Sequence, residues 1–345
     1  MTIRALVSQT RIAVFVVAIM VLTSLVTWPN PGWTQPPPFK ISIGTGPRDG
    51  VNKAAGVALC KFINQKKTRH GFQCRAQNTV GSTASIKNIR AGLLTFGIVQ
   101  SDIQFYALKG YGPFRDLGPD PKLRAVLSLH PEPFTVVVRQ GSDILKFDDL
   151  VGKRIDIGTP GSGQRTTMKV IMRAKGWTRD SFAKVSGLPS AQQSAALCNN
   201  QIDAVVRTVG HPNSALKETT NACDVRLLNV SGPEIDRLIK KYPYYSTMTI
   251  PAGTYKDTPS KVRTFGVTAT LVTSSDTPDK VVEEMVQSLF NQFSNFKFSH
   301  PAFFTLMPAE MGKKGLTAPL HASARLYFDR AENLSKLLDV KDIPL

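Results

Sequence analysis

A repeated order of strand, glycine-containing turn and helix constrains the fold of this chain more than any other feature of its sequence. Residues 40–44 alternate like a strand and precede a helix that opens at Asp49 and has an apolar face at helical period. The same order recurs from residue 72 and again from residue 154. Because such alternation builds mostly parallel sheets with helices on both faces, the sequence predicts the α/β class.

The predicted elements fall into two groups along the chain. Besides residues 40–44, we predict strands at 72–78, 96–100, 123–129, 134–139, 154–157, 204–206, 225–230 and 267–273, with an extended segment at 250–255. Two helices, at 278–293 and around 322–331, complete the pattern. The alternation stops and restarts near Arg139, which indicates two lobes.

The net charge of +18 is large for a chain with an ordinary globular composition of 42% hydrophobic and 20% charged residues. Such a surplus is typical of proteins that bind nucleic acids, membrane surfaces or small anions. Nucleic-acid binders cluster their basic residues on one face or arm. Here the basic residues are scattered, and the longest local cluster is Lys66-Lys67-Thr68-Arg69. We therefore expect no nucleic-acid partner and favour a small anion.

Residues 1–38 have the composition of a secretory signal followed by a stiff spacer. Arg4 and Arg11 precede an apolar run at 12–26, and several prolines follow that run. We expect an exported protein whose signal is cleaved. An uncleaved N-terminal anchor is the alternative, because no clear cleavage site is present and the run approaches the length of a spanning helix.

The four cysteines agree with an oxidising compartment. They allow three pairings, and their spacing favours the local one, Cys60 with Cys74 and Cys198 with Cys223, in which each bridge ties a helix to the strand after it. Four free buried thiols are the alternative. Because no Cys-x-x-Cys motif occurs and the five histidines lie far apart, we expect no metal site and no cofactor.

The segment IGTPGSGQRTTMKV, residues 157–170, permits three interpretations. A phosphate loop needs Lys and then Ser or Thr after its second glycine, where this chain has Gln164 and Arg165. A nucleophile elbow needs one residue between the serine and each glycine, but glycine lies directly on both sides of Ser162. We therefore expect no catalytic residues. The third interpretation, a helix N-terminus that is capped by Ser162 and binds an anion, fits best.

Three strand-to-helix turns contain glycine, at residues 44–50, 80–82 and 158–163. In an open α/β sheet such turns gather beyond the carboxyl ends of the strands, where ligands bind. Arg48 lies in the first turn, and Arg165 follows the third. A cation in the first turn of a helix is favourable when an anion lies in front of it. We therefore predict a cleft for an anion.

Four segments carry a resemblance to a known family: FGIVQSD (96–102), DDLVGKRIDIGTPGSG (148–163), KYPYYSTMTIPAGTY (241–255) and PLHASARLYF (319–328). Over residues 40–330 the chain resembles the extracytoplasmic solute receptors of the TAXI type, the TRAP-transporter-associated binding proteins. The resemblance implies a two-lobed α/β periplasmic binding protein, type II-like, with a ligand cleft between lobes joined by a hinge. It implies a monomer without catalytic activity that closes on a small organic acid and delivers it to a TRAP-type membrane permease.

The resemblance also implies where the lobes divide. Lobe 1 is expected to comprise residues 39–132 and 250–345, and lobe 2 residues 133–249, with crossings near 130–135 and 250–273. A periplasmic receptor with the same cleft that docks on a sensor protein is the alternative function. A periplasmic hydrolase that depends on Ser162 is a third.

The resemblance places a set of turn and strand-end residues in the ligand cleft: Thr45, Gly46, Gly81, Ser82, Gln100, Asp102, Gly161, Ser162, Gly163 and Gly210. The chain departs from the family's pattern at four positions that we add to the candidate site, Arg48, Asn52, Arg165 and Arg207. From the three arginines we predict a cleft more cationic than is usual in the family. Such a cleft suits a ligand with two or more carboxylates, since arginine pairs bidentately with each.

Overall fold

The computed structural model describes residues 39–256 and 258–337. The secretory signal, anchor and spacer predicted for residues 1–38 lie outside these ranges. No helix within the described ranges is both long and apolar enough to cross a membrane. The described residues form a mixed α/β fold around a 10-stranded sheet, which confirms the predicted fold class.

The sheet has parallel strands at both ends and antiparallel strands in its middle. Its strands are β1 Phe39–Gly44, β2 Phe72–Gln77, β3 Phe96–Gln100, β4 Leu123–Arg139, β5 Arg154–Asp156, β6 Lys184–Ser186, β7 Ala204–Thr208, β8 Val225–Leu228, β9 Ser246–Ile250 and β10 Val262–Ser274. They lie in the order β2-β1-β3-β10-β4-β7-β5-β6, while β8 pairs with β4 and β9 with β10. The strand β1 is parallel to β2 and β3, and β5 is parallel to β6 and β7.

The helices connect the parallel strands and cover the sheet's central part. They are α1 Val51–Gln65, α2 Lys67–His70, α3 Ser82–Arg90, α4 Ser101–Lys109, α5 Gly163–Ala174, α6 Ser190–Cys198, α7 Ser214–Ala222, α8 Pro233–Lys241, α9 Asp279–Phe290, α10 Phe293–Lys297, α11 Pro308–Met311 and α12 Ala322–Leu337. The sequence pattern does not predict α4, α6, α7 or α8. Each has 9 residues, so each offers only about two turns of apolar periodicity.

The strand β4 runs through both lobes. It pairs with β10 along its first part and with β7 and β8 from Phe134 onward. The two separate strands predicted at 123–129 and 134–139 are therefore wrong, because Pro131 and Pro133 lie inside one continuous strand. Both prolines precede the pairing with β7, so their missing N–H groups interrupt no hydrogen bond to that strand. The extended segment predicted at 250–255 is also wrong, since β9 ends at Ile250.

We call the elements built on β1–β3 and β10 lobe 1 and those built on β5–β8 lobe 2; the residue boundaries of the lobes stay a prediction. The two lobes share a continuous apolar core beside the sheet. Phe134 of β4 stacks on Phe265 of β10 with 5.4 Å between ring centroids, and Tyr245 packs edge-on against Phe265 at 5.3 Å. The same buried cluster includes Ile103 of α4 and Met168 of α5. Burial of such side chains contributes about 2 kcal/mol each, so this side of the molecule holds the lobes together.

Two disulfides join Cys60 to Cys74 and Cys198 to Cys223, which confirms the local pairing. The first ties α1 to β2, as predicted. The second differs from the prediction in what it joins, because Cys223 directly follows α7 and not a strand. This bridge therefore holds the ends of two neighbouring helices, α6 and α7, together.

Removal of either disulfide is expected to destabilise the fold, because the unfolded chain gains conformational entropy when the cross-link is absent. The sequence separations are 14 and 25 residues, for which loop entropy gives about 3 and about 3.5 kcal/mol. Urea unfolding of the Cys60→Ser/Cys74→Ser and Cys198→Ser/Cys223→Ser variants is expected to show these losses. Equal midpoints and slopes for both variants and the parent chain would contradict the expectation.

Candidate functional site

Six helices, α1, α3, α4, α5, α6 and α7, begin around one cavity between the lobes. Each contributes residues at or next to its N-terminus to the lining: Gly50, Val51, Asn52, Gly81, Ser82, Gln100, Ser162, Gly163, Gln164, Ser190 and Asn213. The cavity has a volume of about 60 Å³, which is room for a few waters or a small group of heavy atoms. The N-terminal ends of helices carry unpaired N–H groups and a partial positive charge.

In five of these six helices the side chain of the N-cap residue accepts no hydrogen bond from the first turn. Ser162 lies at the N-cap position of α5, as predicted, but its hydroxyl donates to the carbonyl of Thr159 at 2.8 Å and accepts nothing from the helix. Only α7 is capped, by the Asn213 side chain, which accepts from the N–H of Leu216. In α4 the Asp102 side chain accepts from the first-turn N–H of Ile103, whereas no side-chain cap covers the first turns of α1, α3, α5 and α6 beside the cavity.

Two glycines allow the lobes to approach closely at the cavity. A Cβ on Gly81 of lobe 1 would lie 2.9 Å from the Cα of Ser162 in lobe 2, and the φ of Gly81 is +149°. A Cβ on Gly163 of lobe 2 would lie 1.8 Å from the Oε1 of Gln100 in lobe 1. At Gly81 a side chain would meet the backbone of the other lobe and would also strain its own backbone, whereas at Gly163 a side chain would displace the end of the Gln100 side chain.

Arg207 at the end of β7 supplies a buried cation, since the residue is only 2% exposed. Its Nη1 donates to the Ser190 hydroxyl at 2.9 Å and lies 3.7 Å from the Oδ2 of Asp49. The Ser190 hydroxyl in turn donates to the same Oδ2 at 2.6 Å. Burial lowers the pKa of Arg207, and the Asp49 carboxylate opposes that shift. The Asp49 carboxylate of lobe 1 is thus the counter-ion of the Arg207 guanidinium of lobe 2.

Glu132, near the middle of β4, places a second carboxylate against the cavity. Its Oε1 accepts from the Asn52 side chain at 2.9 Å and lies 3.7 Å from the Nε2 of His130. Glu132 is 3% exposed and His130 is fully buried. Nowhere in residues 39–256 and 258–337 do three or more His, Cys, Asp or Glu side chains group so that they could hold a metal ion.

Several polar atoms of the lining residues are buried without a hydrogen-bond partner in the described part of the chain. They are Asn52 Oδ1, Gln100 Oε1, Glu132 Oε2, Arg207 Nε and Thr208 Oγ1. A buried polar atom without a partner costs about 1–3 kcal/mol. The set includes both acceptors and a donor, so a solute that carries groups of both kinds can satisfy it.

The structure brings together most of the candidate residues. The cavity is lined by Thr45, Gly46, Asn52, Gly81, Ser82, Gln100, Ser162, Gly163 and Arg207. Sequence reasoning missed Asp49, Glu132, Gln164, Ser190, Thr208 and Asn213, which also line it. Ser190 and Asn213 stand at the starts of α6 and α7, which the sequence pattern does not predict, and Asp49 directly follows the candidate Arg48.

Five candidates lie outside the lining. Arg48 is exposed on the turn, and Arg165 turns back to donate to the carbonyl of Gly158 at 2.6 Å. Gly210 packs against His130, where a Cβ would lie 2.5 Å from the ring. Gly161 packs near Val80, and Asp102 is buried between α4 and α5. The three arginines therefore do not meet, and only Arg207, which Asp49 partly neutralises, faces the cavity.

Asp102 forms a buried contact between the lobes. One carboxylate oxygen accepts from Thr167 of α5 at 2.9 Å and from the Tyr245 hydroxyl at 3.3 Å, and the other accepts from the N–H of Ile103. Burial raises the pKa of Asp102 from 3.8 to about 7, although these hydrogen bonds oppose the rise and Glu132 adds to it. The contact therefore changes protonation near neutral pH.

His211 shows the opposite effect of burial. Its ring lies between the Thr135 hydroxyl at 2.9 Å and the Tyr255 hydroxyl at 2.7 Å. Burial lowers the pKa of His211 to about 3, so the ring is neutral over the physiological range. His211 therefore acts as a neutral hydrogen-bonding bridge behind the cavity and supplies no charge to it.

Comparison with known families and structures agrees with this architecture. Residues 43–331 match the model of the NMT1-like family, and the chain belongs to that family. A solved structure from Bordetella bronchiseptica RB50 shares the fold, with 13% identity, a TM-score of 0.51 and coverage of 85% of this chain and 98% of that one.

Two further solved structures are similar over comparable lengths. The periplasmic aliphatic sulphonate binding protein of Escherichia coli has 13% identity, a TM-score of 0.45 and coverage of 89% of this chain and 95% of that one. A putative L-cystine ABC transporter from Listeria monocytogenes has 14% identity, a TM-score of 0.47 and coverage of 76% and 94%. Membership of the TAXI type stays a prediction.

Asp102→Asn is expected to remove a dependence of stability on pH. Because the folded pKa of about 7 exceeds the ordinary 3.8, the folded state binds the proton more tightly. The stabilisation is complete below 3.8 and is lost as pH rises through about 7, by about 4 kcal/mol in total. The free energy of unfolding of Asp102→Asn, relative to that of the parent chain, is therefore expected to rise between about pH 4 and about pH 8.

Urea unfolding across this pH range measures the difference between the two proteins. Asp116→Asn, which changes an exposed carboxylate, serves as the control and is expected to differ from the parent by a constant amount. If the free energies of unfolding of Asp102→Asn and the parent run parallel from acid to neutral pH, the assignment of the shift to Asp102 is wrong.

Proposed function

We propose that this chain is an exported solute-binding protein that captures a small organic anion in the cavity between its lobes and delivers it to a membrane transporter. The observation that carries the proposal is the meeting of six helix N-termini around the buried guanidinium of Arg207. Helix N-termini and arginine are the groups with which proteins bind carboxylate, sulfonate and phosphate.

The charges around the cavity favour an anion despite its two carboxylates. The side chains of Asp49 and Glu132 outweigh Arg207 by one negative charge. The helix ends each contribute roughly half a positive charge, so six of them exceed that deficit. The partial charges of peptide N–H groups are also fixed in direction and need no counter-ion, which makes them effective in a small buried space.

Glu132 restricts the kind of anion that fits. Its free Oε2 and the free Oδ1 of Asn52 accept hydrogen bonds and repel a second negative group. The ligand we propose therefore carries an anionic group toward Arg207 and a hydroxyl or ammonium donor toward Glu132. This refines the di- or tricarboxylate that the three arginines suggested, because two of those arginines lie outside the cavity.

Capture follows from the contacts that the two lobes make across the cavity. Asp49 of lobe 1 bridges to Ser190 and Arg207 of lobe 2, and its carbonyl accepts from Asn213 and Ser214. An incoming anion competes with the Asp49 side chain for Ser190 and Arg207. We propose that the strands β4 and β10, which join the lobes, provide the hinge over which the cleft opens for this exchange.

Two classes of membrane transporter could receive the solute from this protein, a TRAP-type permease and an ABC importer. The four resembling segments favour a TRAP-type permease, whereas one of the similar solved structures is a putative L-cystine ABC transporter. Uptake into vesicles that contain the purified permease distinguishes the two. Dependence on an ion gradient without ATP supports the TRAP type, and dependence on ATP supports the ABC type.

Arg207→Gln is expected to weaken anion binding strongly, while Arg165→Gln is expected to leave it unchanged. The first removes the buried cation, a loss of about 3 kcal/mol or roughly a hundredfold in affinity. The second removes an arginine whose guanidinium is held by the Gly158 carbonyl. Calorimetry with a panel of hydroxycarboxylates, amino acids and sulfonates measures both, and thermal unfolding checks that the variants fold. Equal losses of anion affinity in Arg207→Gln and Arg165→Gln would contradict the assignment of Arg207 to the binding site.

Asp49→Asn is expected to raise the affinity for the same anion by about tenfold, because it removes the competing charge. The amide oxygen still accepts the hydrogen bond from Ser190, so the lobe contact is retained. Calorimetry with the best ligand of the panel measures the change, and Asp276→Asn, at a carboxylate that is 62% exposed, is the matched control. A lower affinity in Asp49→Asn would show that the carboxylate supports binding and does not compete with it.

A further inference from the structure

A second concavity, of about 580 Å³, lies where lobe 1 and lobe 2 meet on another part of the surface. Lobe 1 contributes Arg115 from the 3₁₀ segment Gly112–Leu117, and lobe 2 contributes Arg173 of α5 with Arg237 and Lys241 of α8. We call this surface the basic groove and define it by those four residues.

The positive charge of the basic groove is largely uncompensated. The only acid among its lining residues, Glu234, already accepts from Arg237 at 3.0 Å and lies 3.5 Å from the Nζ of Lys175. Arg115 and Arg173 are exposed, and within the described ranges their guanidinium groups make no ion pair or hydrogen bond. The groove therefore offers two free guanidinium groups within a concave surface, where their fields add.

The groove has aromatic walls as well as charge. Tyr106, Tyr111 and Tyr242 line it, and Lys241 lies over the Tyr242 ring at 5.3 Å from its centroid. The Tyr242 ring stacks on Tyr244 at 5.3 Å, which holds it in place. On such a surface a peptide can pack against the aromatic rings while its carboxylate side chains form ion pairs with the guanidinium groups. A flat membrane surface reaches the rim of such a concavity but not its walls.

The width of the basic groove depends on how the lobes lie. Its arginines belong to different lobes, and those lobes also meet in the pairing of Asp102 in α4 with Thr167 in α5. When the lobes move relative to one another, the distance between Arg115 and Arg173 changes, and the shape of the groove changes with it. The groove in this form thus belongs to the arrangement in which the lobes are together.

We propose that the basic groove is a docking site for an acidic peptide segment of a protein partner, which recognises this chain when its lobes are together. That the partner is the membrane transporter rests on the proposed function; the binding of an acidic segment does not. The groove would let a partner distinguish the closed protein from the open one without contact to the solute.

The test is the binding of a rhodamine-labelled octaglutamate peptide, followed by fluorescence anisotropy at low and at physiological ionic strength. The variant Arg115→Ala/Arg173→Ala/Lys241→Ala is expected to weaken binding by about tenfold. The matched control Lys61→Ala/Lys67→Ala/Arg69→Ala removes the same charge from exposed positions on α1 and α2 and is expected to change binding less than about twofold. Calorimetry of solute binding is expected to be unchanged in both variants.

Three results would overturn the proposal. Equal weakening in the two triple variants would mean that the peptide responds to net charge and not to the groove. No peptide binding, together with groove-dependent sedimentation on phosphatidylglycerol vesicles, would assign the surface to a membrane. Loss of solute binding in the groove variant alone would place these residues in the solute site, whereas failure of the proposed function leaves the peptide result intact.

Discussion

The buried guanidinium of Arg207 is the group on which the arrangement around the cavity depends. A cation that is 2% exposed needs partners that replace its lost hydration, and these come from both lobes, Asp49 from one and Ser190 from the other. The same three residues therefore contribute both to the contact between the lobes and to the charge inside the cavity. An anion that binds Arg207 changes both at once, which gives solute binding a direct effect on the lobe contact.

Much of the fold could be predicted from the sequence because its signals are local. The parallel strands β1, β2 and β3 and the helices between them follow from apolar periodicity and glycine turns, and both disulfides follow from spacing. The family resemblance places Gly81, Gln100 and Ser162 in the cleft, and all three line the cavity, where each ends a strand or opens a helix at the carboxyl edge of the sheet. The long strand β4 could not be predicted as one strand, because its two prolines suggest a break. In the structure β4 continues through both prolines and pairs with β10.

The charges of the site could not be predicted because they depend on where side chains turn. Arg48 and Asp49 are neighbours in one turn, yet the arginine is exposed and the aspartate faces Arg207. Arg165 has an alternative partner in the Gly158 carbonyl, seven residues away in sequence. Glu132 comes from a strand with no glycine turn beside it and reaches the cavity only because β4 crosses between the lobes. A count of arginines near glycine turns therefore overstates the positive charge of the cavity.

We expect the cavity to bind a small anion that also carries a hydrogen-bond donor. Native mass spectrometry of the exported protein, followed by denaturation and identification of the released molecule, is the experiment that decides this. The expected result is a mass excess equal to one small organic acid with a hydroxyl or amino group, bound one to one. A bound molecule that is cationic or lacks any acidic group would show that the cavity does not select anions.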